Sequence, residues 1–439
     1  MNLTTKAKPQ HAPMDQFKVH NNWLMVNGVS LERVKLRAGQ TPFYAYDRSV
    51  ISHKIAQLRQ YMPQSLKLHY AMKANPMPAV VSFLNSQVDG IDVASGNELL
   101  VALNSGIAGH QISFAGPGKQ SQELTMAIAS SVTINVESFN ELSNIARISD
   151  ATGISAKVAV RVNPDFELKS SGMKMGGGPQ QFGIDAEQVP KALLQIEALG
   201  LDYQGLHIFS GSQNLNQHAI MQTHRQIFEL ASRLQRSTNL ELLTLNIGGG
   251  LGIPYFPGEM PLDIAPIGQA LAELIDNLQA AHPNVEVAME LGRYIVGEAG
   301  IYVCEVVDIK ESRGTRFAIV NGGLHHHLSA SGNFGQVIRK NYPVAIGNKM
   351  ISKKQSSDIA QNNTRLDQSV SQEKVSAEQL YPVQIVGPLC TPLDLLADKY
   401  ELPAVEIGDL VVVYQSGAYG FTASPRDFLS HPQPVELLI

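Results

Sequence analysis

The feature that most constrains the fold is a regular alternation of short apolar runs and amphipathic segments between residues 65 and 300. The runs are rich in β-branched residues and have the length of buried strands, and helical periodicity follows most of them. Ser138, for example, is a predicted helix cap before the amphipathic segment Glu141–Ile148. Eight such runs occur in series, and they are Leu66–Met72, Gly90–Val93, Gln111–Phe114, Thr133–Val136, Lys157–Val162, Gln204–Ile208, Leu243–Ile247 and Val285–Glu290.

Eight strand–helix units in series predict an α/β fold, the (β/α)8 TIM barrel, in which parallel strands close on themselves inside a ring of helices. A doubly wound open sheet uses the same alternation and is the competing architecture. The count of eight units favours the barrel. We therefore predict a barrel domain over residues 41–300.

After residue 300 the pattern changes to strand-like runs without long helices, which predicts a separate β domain over residues 301–439. Residues 1–40 contain a plausible hairpin edge, Asn22–Gly28, and are predicted to pack on this domain as a strand segment. The stretch 348–379 is polar, so we expect a flexible surface insertion without chemistry. The predicted strands of the β domain are Tyr302–Ile309, Arg316–Val320, Val383–Val386 and Leu410–Tyr414.

Composition argues against several classes of protein. The net charge of -5 comes without a basic block, so a nucleic-acid partner is not expected. The two cysteines, Cys304 and Cys390, suit a reducing compartment and lack metal-ligand spacing. The polar start of the chain and the lack of long apolar runs predict a cytoplasmic protein without a membrane partner. The histidines at 325–327 are not expected to bind a metal, because neighbours on a strand alternate faces.

Polar residues cluster where the predicted barrel strands end, which is where barrel enzymes place their active sites. Lys73 follows the first strand; a lysine there is either solvated or a Schiff-base nucleophile. Three glycines, at 248–250, follow the seventh strand, where a triple glycine is either a plain turn or a phosphate cradle. Glu290 ends the eighth strand and can keep a pyridine nitrogen protonated. Together these groups form the set that pyridoxal 5'-phosphate (PLP) requires.

In these segments the chain resembles the fold-type III PLP decarboxylases, which include diaminopimelate, ornithine and arginine decarboxylases, with alanine racemase a more distant relative. The resemblance runs from about Thr41 to the C-terminus. GPLCTPLD at 387–394 and SGAYGFTASP at 416–425 look close to the subgroup associated with exosortase and exopolysaccharide gene clusters. The other matching segments are HYAMKAN at 69–75, GIDVASGNEL at 90–99, FAGPGK at 114–119, INVES at 134–138, VRVNP at 160–164, NIGGGLG at 246–252 and ELGR at 290–293.

The resemblance implies that Lys73 carries PLP as a Schiff base and that Glu290 pairs with the pyridine nitrogen. It also implies a homodimer in which Cys390 crosses the interface and returns a proton to the α-carbon after carbon dioxide leaves. Without the motif around it, Cys390 would be read as a small buried hydrophobe. The residues implied to hold the phosphate are Ser212, Gly248, Gly249, Gly250, Gly292, Arg293 and Tyr419, and those implied to line the cofactor's surroundings are Asp92, Glu98 and Arg161.

Two single positions and one run of residues depart from the family pattern. Phe209 stands where the family has a histidine stacked on the PLP ring; a phenyl ring can stack but cannot donate a hydrogen bond, so any polar role is lost or passes to His207. Thr391 stands where diaminopimelate and ornithine decarboxylases hold the substrate's distal ammonium with an acid, and Asp394 is the nearby acid that could compensate in part. The run 321–329 also lacks the arginine and tyrosine with which diaminopimelate decarboxylases grip carboxylates.

The predicted function is PLP-dependent α-decarboxylation of an amino acid or aminoacyl substrate, with substrate contacts from Arg293, Thr391, Asp394 and Tyr419. An aminoacyl group tethered to a carrier protein suits the neutral Thr391, because the distal end of such a substrate is an amide or thioester rather than an ammonium ion. Diaminopimelate decarboxylation in lysine synthesis, amino-acid racemisation and non-catalytic PLP binding are the alternatives. Racemisation needs acid–base groups on both faces of the ring, which Phe209 disfavours, whereas the retained Cys390 segment disfavours a plain binding protein.

Overall fold

The computed structural model describes residues 8–166, 173–174, 177–334, 336–350 and 379–439. Residues 351–378 of the predicted insertion at 348–379 lie outside the described residues. The chain divides into two compact units, one made of Met1–Ile51, Tyr255–Glu259 and Val296–Ile439, the other of Ser52–Pro254 and Met260–Ile295. In the described part of the chain, no helix has both the length and the apolar character needed to span a membrane.

The second unit is the predicted TIM barrel. Its eight parallel strands, labelled β1 to β8, pair in chain order, and β8 pairs with β1 to close the sheet. Closure excludes the open doubly wound sheet. The strands are β1 Leu66–Ala71, β2 Gly90–Val93, β3 Ile112–Phe114, β4 Thr133–Val136, β5 Lys157–Asn163, β6 Asp202–Ile208, β7 Thr244–Asn246 and β8 Glu286–Leu291.

Helices follow the barrel strands, as the periodicity predicts. Ser138 caps the helix Phe139–Thr152 by accepting a hydrogen bond from the backbone N–H of Glu141, and the helix ends at Gly153 in the left-handed conformation. Two short additions lie near the strand ends: Met173–Lys174 pairs with Gly211–Ser212, and Ile184–Asp185 pairs with β5. The other helices from residue 48 to residue 296 are Arg48–Tyr61, Pro78–Asn85, Gly96–Asn104, Ser121–Ala129, Val189–Ala198, Gln217–Gln235, Ala265–Ala281 and Arg293–Val296.

The first unit is a β structure built around the long strand Gly300–Ser312, which pairs with Phe43–Tyr46, Thr315–Val320 and Leu410–Val413. The sequence prediction places residues 43–46 in the barrel domain, whereas their pairing with Gly300–Ser312 places them in this sheet. The remaining strands are Val344–Ile346, Tyr381–Val386, Leu395–Leu402 and Val435–Leu438.

The N-terminal segment shares the core of this β unit. It forms a small three-stranded sheet and a helix, and its buried side chains Leu24 and Val26 belong to the same apolar cluster as Ile301, Val303 and Val412. Burying these aliphatic side chains together is the main force that holds the segment on the sheet. The elements of the segment are Val19–His20, Trp23–Val26, Val29–Ser30 and the helix Leu31–Ala38.

The three consecutive histidines follow the strand Thr315–Val320 in a turn, not on a strand as the alternation argument assumed. The side chains of His326 and His327 have separate partners. His326 Nδ1 lies 3.2 Å from the hydroxyl of Tyr302, and His327 Nε2 lies 2.9 Å from Oγ of Ser416. No group of metal-ligating side chains is found within the described ranges.

Candidate active site

A cavity of about 280 Å³ lies at the carboxyl ends of the barrel strands. Residues at or just after the ends of different strands meet there, because parallel strands of a closed barrel all end at the same rim. We call this space the cofactor cavity. Six predicted site residues line it, and they are Lys73, Asp92, Arg161, His207, Phe209 and Glu290.

Lys73 lies in a single 3₁₀ turn, Met72–Ala74, directly after β1. Its side chain is exposed, and its Nζ lies 5.4 Å from the centroid of the Phe209 ring. Gly292 allows the loop after β8 to pack closely on this turn, since a Cβ there would lie 2.8 Å from the carbonyl oxygen of Ala71. The turn therefore presents the amine of Lys73 to the cofactor cavity.

Glu290 is buried and held by two neighbours. His207 Nε2 lies 2.9 Å from its Oε1, and the side-chain amide of Asn246 donates a hydrogen bond of 2.9 Å to the same oxygen. Burial by itself would raise the pKa of Glu290, but the charges of His207, Lys73 and Arg161 outweigh it and hold the pKa well below its ordinary value. Glu290 is thus an ionised carboxylate, as pairing with a protonated pyridine nitrogen requires.

The triple glycine forms a close-packed loop that only glycine can occupy. A Cβ at Gly249 would lie 1.8 Å from the carbonyl oxygen of Glu290, and Gly248 and Gly250 have positive φ values of 66° and 97°. The backbone N–H of Asn214 donates a 2.9 Å hydrogen bond to the carbonyl of Gly250, which ties the loop to the segment that carries Ser212. Such a backbone cradle at a barrel rim suits a phosphate group.

Asp92 and Arg161 complete the walls. Oδ2 of Asp92 is buried without a hydrogen-bond partner among the described residues, so a polar group bound in the cavity would supply a missing contact. Arg161 pairs with Glu137 at 2.7 Å, and Glu137 also accepts the backbone N–H of Gly183 at 3.1 Å. Amine, ionised carboxylate, glycine loop and unsatisfied polar oxygen together fit PLP.

Two further residues of this site, Asn246 and Phe182, could not be assigned a role from the sequence. Asn246 stands in the matching segment NIGGGLG, yet its two roles, donation to Glu290 and acceptance of the Gly248 backbone N–H at 2.9 Å, depend on side-chain direction. Phe182 packs under the guanidinium of Arg161, whose Cζ lies 5.0 Å from the ring centroid. No sequence signal marks Phe182, because it lies outside the strands and the matching motifs.

Four predicted site residues, Cys390, Thr391, Asp394 and Tyr419, belong to the β unit. Cys390 is exposed and its thiol is free. Tyr419 has a positive φ of 53°, and its carbonyl accepts a 2.8 Å hydrogen bond from the hydroxyl of Ser329. In the barrel unit, Arg293 begins a four-residue helix directly after β8, and Glu98 accepts the backbone N–H of Ala94 at 2.7 Å. Their roles towards cofactor and substrate stay predictions.

The closed barrel and its cofactor cavity define a class, the PLP-binding enzymes of fold type III. Residues 48–297 match the family model described as "Pyridoxal-dependent decarboxylase, pyridoxal binding domain". The chain therefore belongs to the pyridoxal-dependent decarboxylase family. The predictions of PLP as cofactor and of decarboxylation of an amino acid or aminoacyl substrate are confirmed.

Relatives of the chain are similar over most of their length. It is 34% identical over 402 residues to the L-glutamyl-[BtrI acyl-carrier protein] decarboxylase of Niallia circulans, covering 91% of this chain and 89% of the relative. It is 31% identical to the 2-[(L-alanin-3-ylcarbamoyl)methyl]-2-hydroxybutanedioate decarboxylase of Staphylococcus aureus, covering 92% and 95%. The solved diaminopimelate decarboxylase of Helicobacter pylori complexed with L-lysine superposes with a TM-score of 0.76 at 25% identity, covering 93% and 94%.

Proposed function

We propose that this decarboxylase acts on an aminoacyl group whose distal end carries no ammonium ion, and that a group tethered to a carrier protein is the first candidate. The proposal rests on the segment that begins at Cys390. A relative's name supports it, since the protein of Niallia circulans is named for an L-glutamyl group on an acyl-carrier protein. The Staphylococcus aureus relative is named for a substrate with a hydroxybutanedioate end, which is anionic.

The observation that carries the proposal is the position of Asp394, the acid that the sequence suggested as a substitute for a missing one. Its carboxylate accepts backbone hydrogen bonds from Leu324 at 2.6 Å and from Leu389 at 2.8 Å, and only 3% of the residue is exposed. Gly323 and Gly387 make room for it, because a Cβ at either would lie within 2.3 Å of a carboxylate oxygen. Asp394 therefore stabilises its own loop, and we infer that it does not contact substrate.

Thr391 is then left as the only side chain between Cys390 and Asp394 that can offer a hydrogen bond. It is half-buried, and its Oγ1 already accepts the backbone N–H of Leu393 at 3.3 Å. A neutral hydroxyl cannot balance an ammonium ion, and an unpaired ammonium in a closed site costs several kcal/mol. A distal amide, thioester or carboxylate avoids that cost.

PLP supplies an electron sink for the carbanion that remains when carbon dioxide leaves. The protein's own residues divide the other tasks. Lys73 presents its amine at the rim of the cofactor cavity. Glu290, which His207 and Asn246 hold in place, provides a negative charge in the same cavity. Phe209 offers an apolar face that excludes water from one side of the cavity. We assign the return of a proton to the α-carbon to the thiol of Cys390.

We also propose that Cys390 serves the site of a second copy in a homodimer. The support is its exposure, together with exposed apolar side chains of the same unit, Val337, Ile338 and Leu393, which a monomer would leave in water. Mixing two inactive variants, Lys73→Ala and Cys390→Ser, should restore activity, because the mixed dimer contains one intact site. Mixtures that stay inactive would contradict the dimeric site.

Thr391→Glu tests the substrate assignment. It should raise kcat/KM for free diaminopimelate by at least about tenfold, equivalent to roughly 1.4 kcal/mol, because it restores a negative charge for the ammonium. The control Thr391→Gln has nearly the same size without the charge and should give no gain. Equal behaviour of the two variants, or a wild-type preference for diaminopimelate, would reject the proposal and favour lysine synthesis.

A further inference from the structure

The barrel unit contains a second cavity, which the decarboxylation chemistry described above does not use. Its volume is about 410 Å³, and it lies at the opposite mouth, among the first residues of the strands. We call it the amino-terminal cavity. Residues that line it include Lys67, His69, Asp89, His110, Thr133 and Glu286. His69 is the member of this set that also reaches a residue of the cofactor cavity.

Two contacts join the cavities: Asn246, which also lines the amino-terminal cavity, donates to Glu290, and His69 approaches Asp92. An amide does not exchange protons near neutral pH, so the pair His69 and Asp92 is the one that can pass a proton. Nδ1 of His69 lies 3.4 Å from Oδ1 of Asp92, which lines the cofactor cavity, while the imidazole lines the amino-terminal cavity. The side chain of His69 is 17% exposed and that of Asp92 is 7% exposed. Water can therefore reach the ring from one side, while the carboxylate faces the cofactor.

Gly90 makes this arrangement possible. In the pairing of β1 with β2, His69 stands beside Gly90, and a Cβ at Gly90 would lie 2.6 Å from Nε2 of His69. The imidazole thus occupies the space that any other side chain at position 90 would fill. This fit holds the ring across β2, in the direction of Asp92.

The buried charges around the pair raise the pKa of both its members. Burial raises the pKa of Asp92, and the charge of Glu290 raises it further, against the opposing effect of His69. Burial lowers the pKa of His69, but Asp92, Glu290 and Asp89 outweigh it and raise the pKa above its ordinary value. A raised pKa makes the carboxylate of Asp92 a better acceptor for a proton from His69. The titratable groups that face the pair are Glu290, Asp89 and His207.

We propose that His69 is a proton-exchange residue, which connects water in the amino-terminal cavity with Asp92 at the floor of the cofactor cavity. In one direction, Nε2 takes a proton from water and Nδ1 passes its own proton to Oδ1 of Asp92. In the other direction, Asp92 returns its proton to Nδ1 and Nε2 releases a proton to water, which restores the first tautomer. Each passage moves one proton to or from Asp92, leaves the imidazole neutral, and oxidises or reduces no group. The protonation state of Asp92 thereby follows the pH of the solvent, and no water has to enter the cofactor cavity from the side where substrate binds.

The test follows the absorbance of the bound cofactor after a rapid pH jump of the PLP-loaded protein. His69→Phe should slow the relaxation at least about tenfold, because the phenyl ring fills the space but carries no proton. His110→Phe is the matched control, since His110 lines the same cavity without contacting Asp92, and it should relax as the wild type does. The readout does not depend on the substrate, so failure here leaves the proposed function untouched.

Chemical rescue separates proton exchange from packing. In His69→Ala, imidazole in the buffer should restore the relaxation rate, whereas pyrazole, a ring of the same size that is not protonated near neutral pH, should not. In the protein without cofactor, NMR titration should show a His69 pKa above its ordinary value that falls in Asp92→Asn. Wild-type relaxation in His69→Phe, or equal rescue by pyrazole and imidazole, would overturn the proposal.

Discussion

Replacing Gly249 by alanine should damage cofactor binding more than it damages the fold. A Cβ at position 249 would lie 1.8 Å from the carbonyl oxygen of Glu290, and real Cβ atoms do not approach closer than 3.0 Å, so the loop must move by at least 1.2 Å (3.0 − 1.8). The obstacle is backbone, which cannot rotate away. Overpacking of this kind costs about 1–3 kcal/mol in stability. A misplacement of about 1 Å of the groups that position a bound molecule can lower a reaction rate on the order of 10²-fold. We expect a loss of up to that size in the affinity of the loop for phosphate.

We therefore expect Gly249→Ala to weaken PLP binding about 10- to 100-fold, measured by titrating the cofactor-free protein with PLP. The control is Gly200→Ala in the same unit, where φ is +63° and a Cβ would meet nothing within 4 Å. It should cost about 1–2 kcal/mol in stability through backbone strain alone and leave PLP affinity unchanged. If both variants bind PLP as the wild type does, the glycine loop is not the phosphate cradle.

Two further predictions concern single side chains. Lys73→Ala should abolish the absorbance of covalently bound cofactor and carbon dioxide release together; surviving turnover would show that another group carries PLP. Burial lowers the pKa of His224 from 6.5 to about 4. Between these two pH values the unfolded chain therefore binds a proton at His224 and the folded chain does not. Stability should consequently fall by about 3 kcal/mol as the pH drops from 6.5 to 4. His224→Phe should reduce this loss in urea unfolding across that range, and an unchanged pH profile would contradict it.

The barrel could be predicted because its signal is local and repeated. The bounds of β2 and β4 agree with the sequence prediction without a shift, and the other strands differ by one or two residues at either end. The start of the barrel domain, which the sequence placed at residue 41, could not be predicted in this way, because the strand Phe43–Tyr46 pairs with Gly300–Ser312 in the β unit. Residues some 250 positions apart leave no local periodicity that reveals such a pairing.

The site was predictable where a residue type and a strand end coincide, as for Lys73 and Glu290. The supporting contacts were not, because they join side chains from strands that are distant in sequence. Asn246 reaches Glu290 across β7 and β8, and the His69–Asp92 pair crosses β1 and β2. The burial of Asp394 could not be predicted either, since an acid beside a substrate motif and an acid that holds its own loop look the same in the sequence.

The most direct test of the account is carbon dioxide release by the PLP-loaded protein from a carrier-tethered glutamyl group, compared with free glutamate and free diaminopimelate. We expect a kcat/KM for the tethered group at least about tenfold above that for diaminopimelate, a difference of roughly 1.4 kcal/mol. A preference for diaminopimelate, or no release from the tethered group, would contradict it.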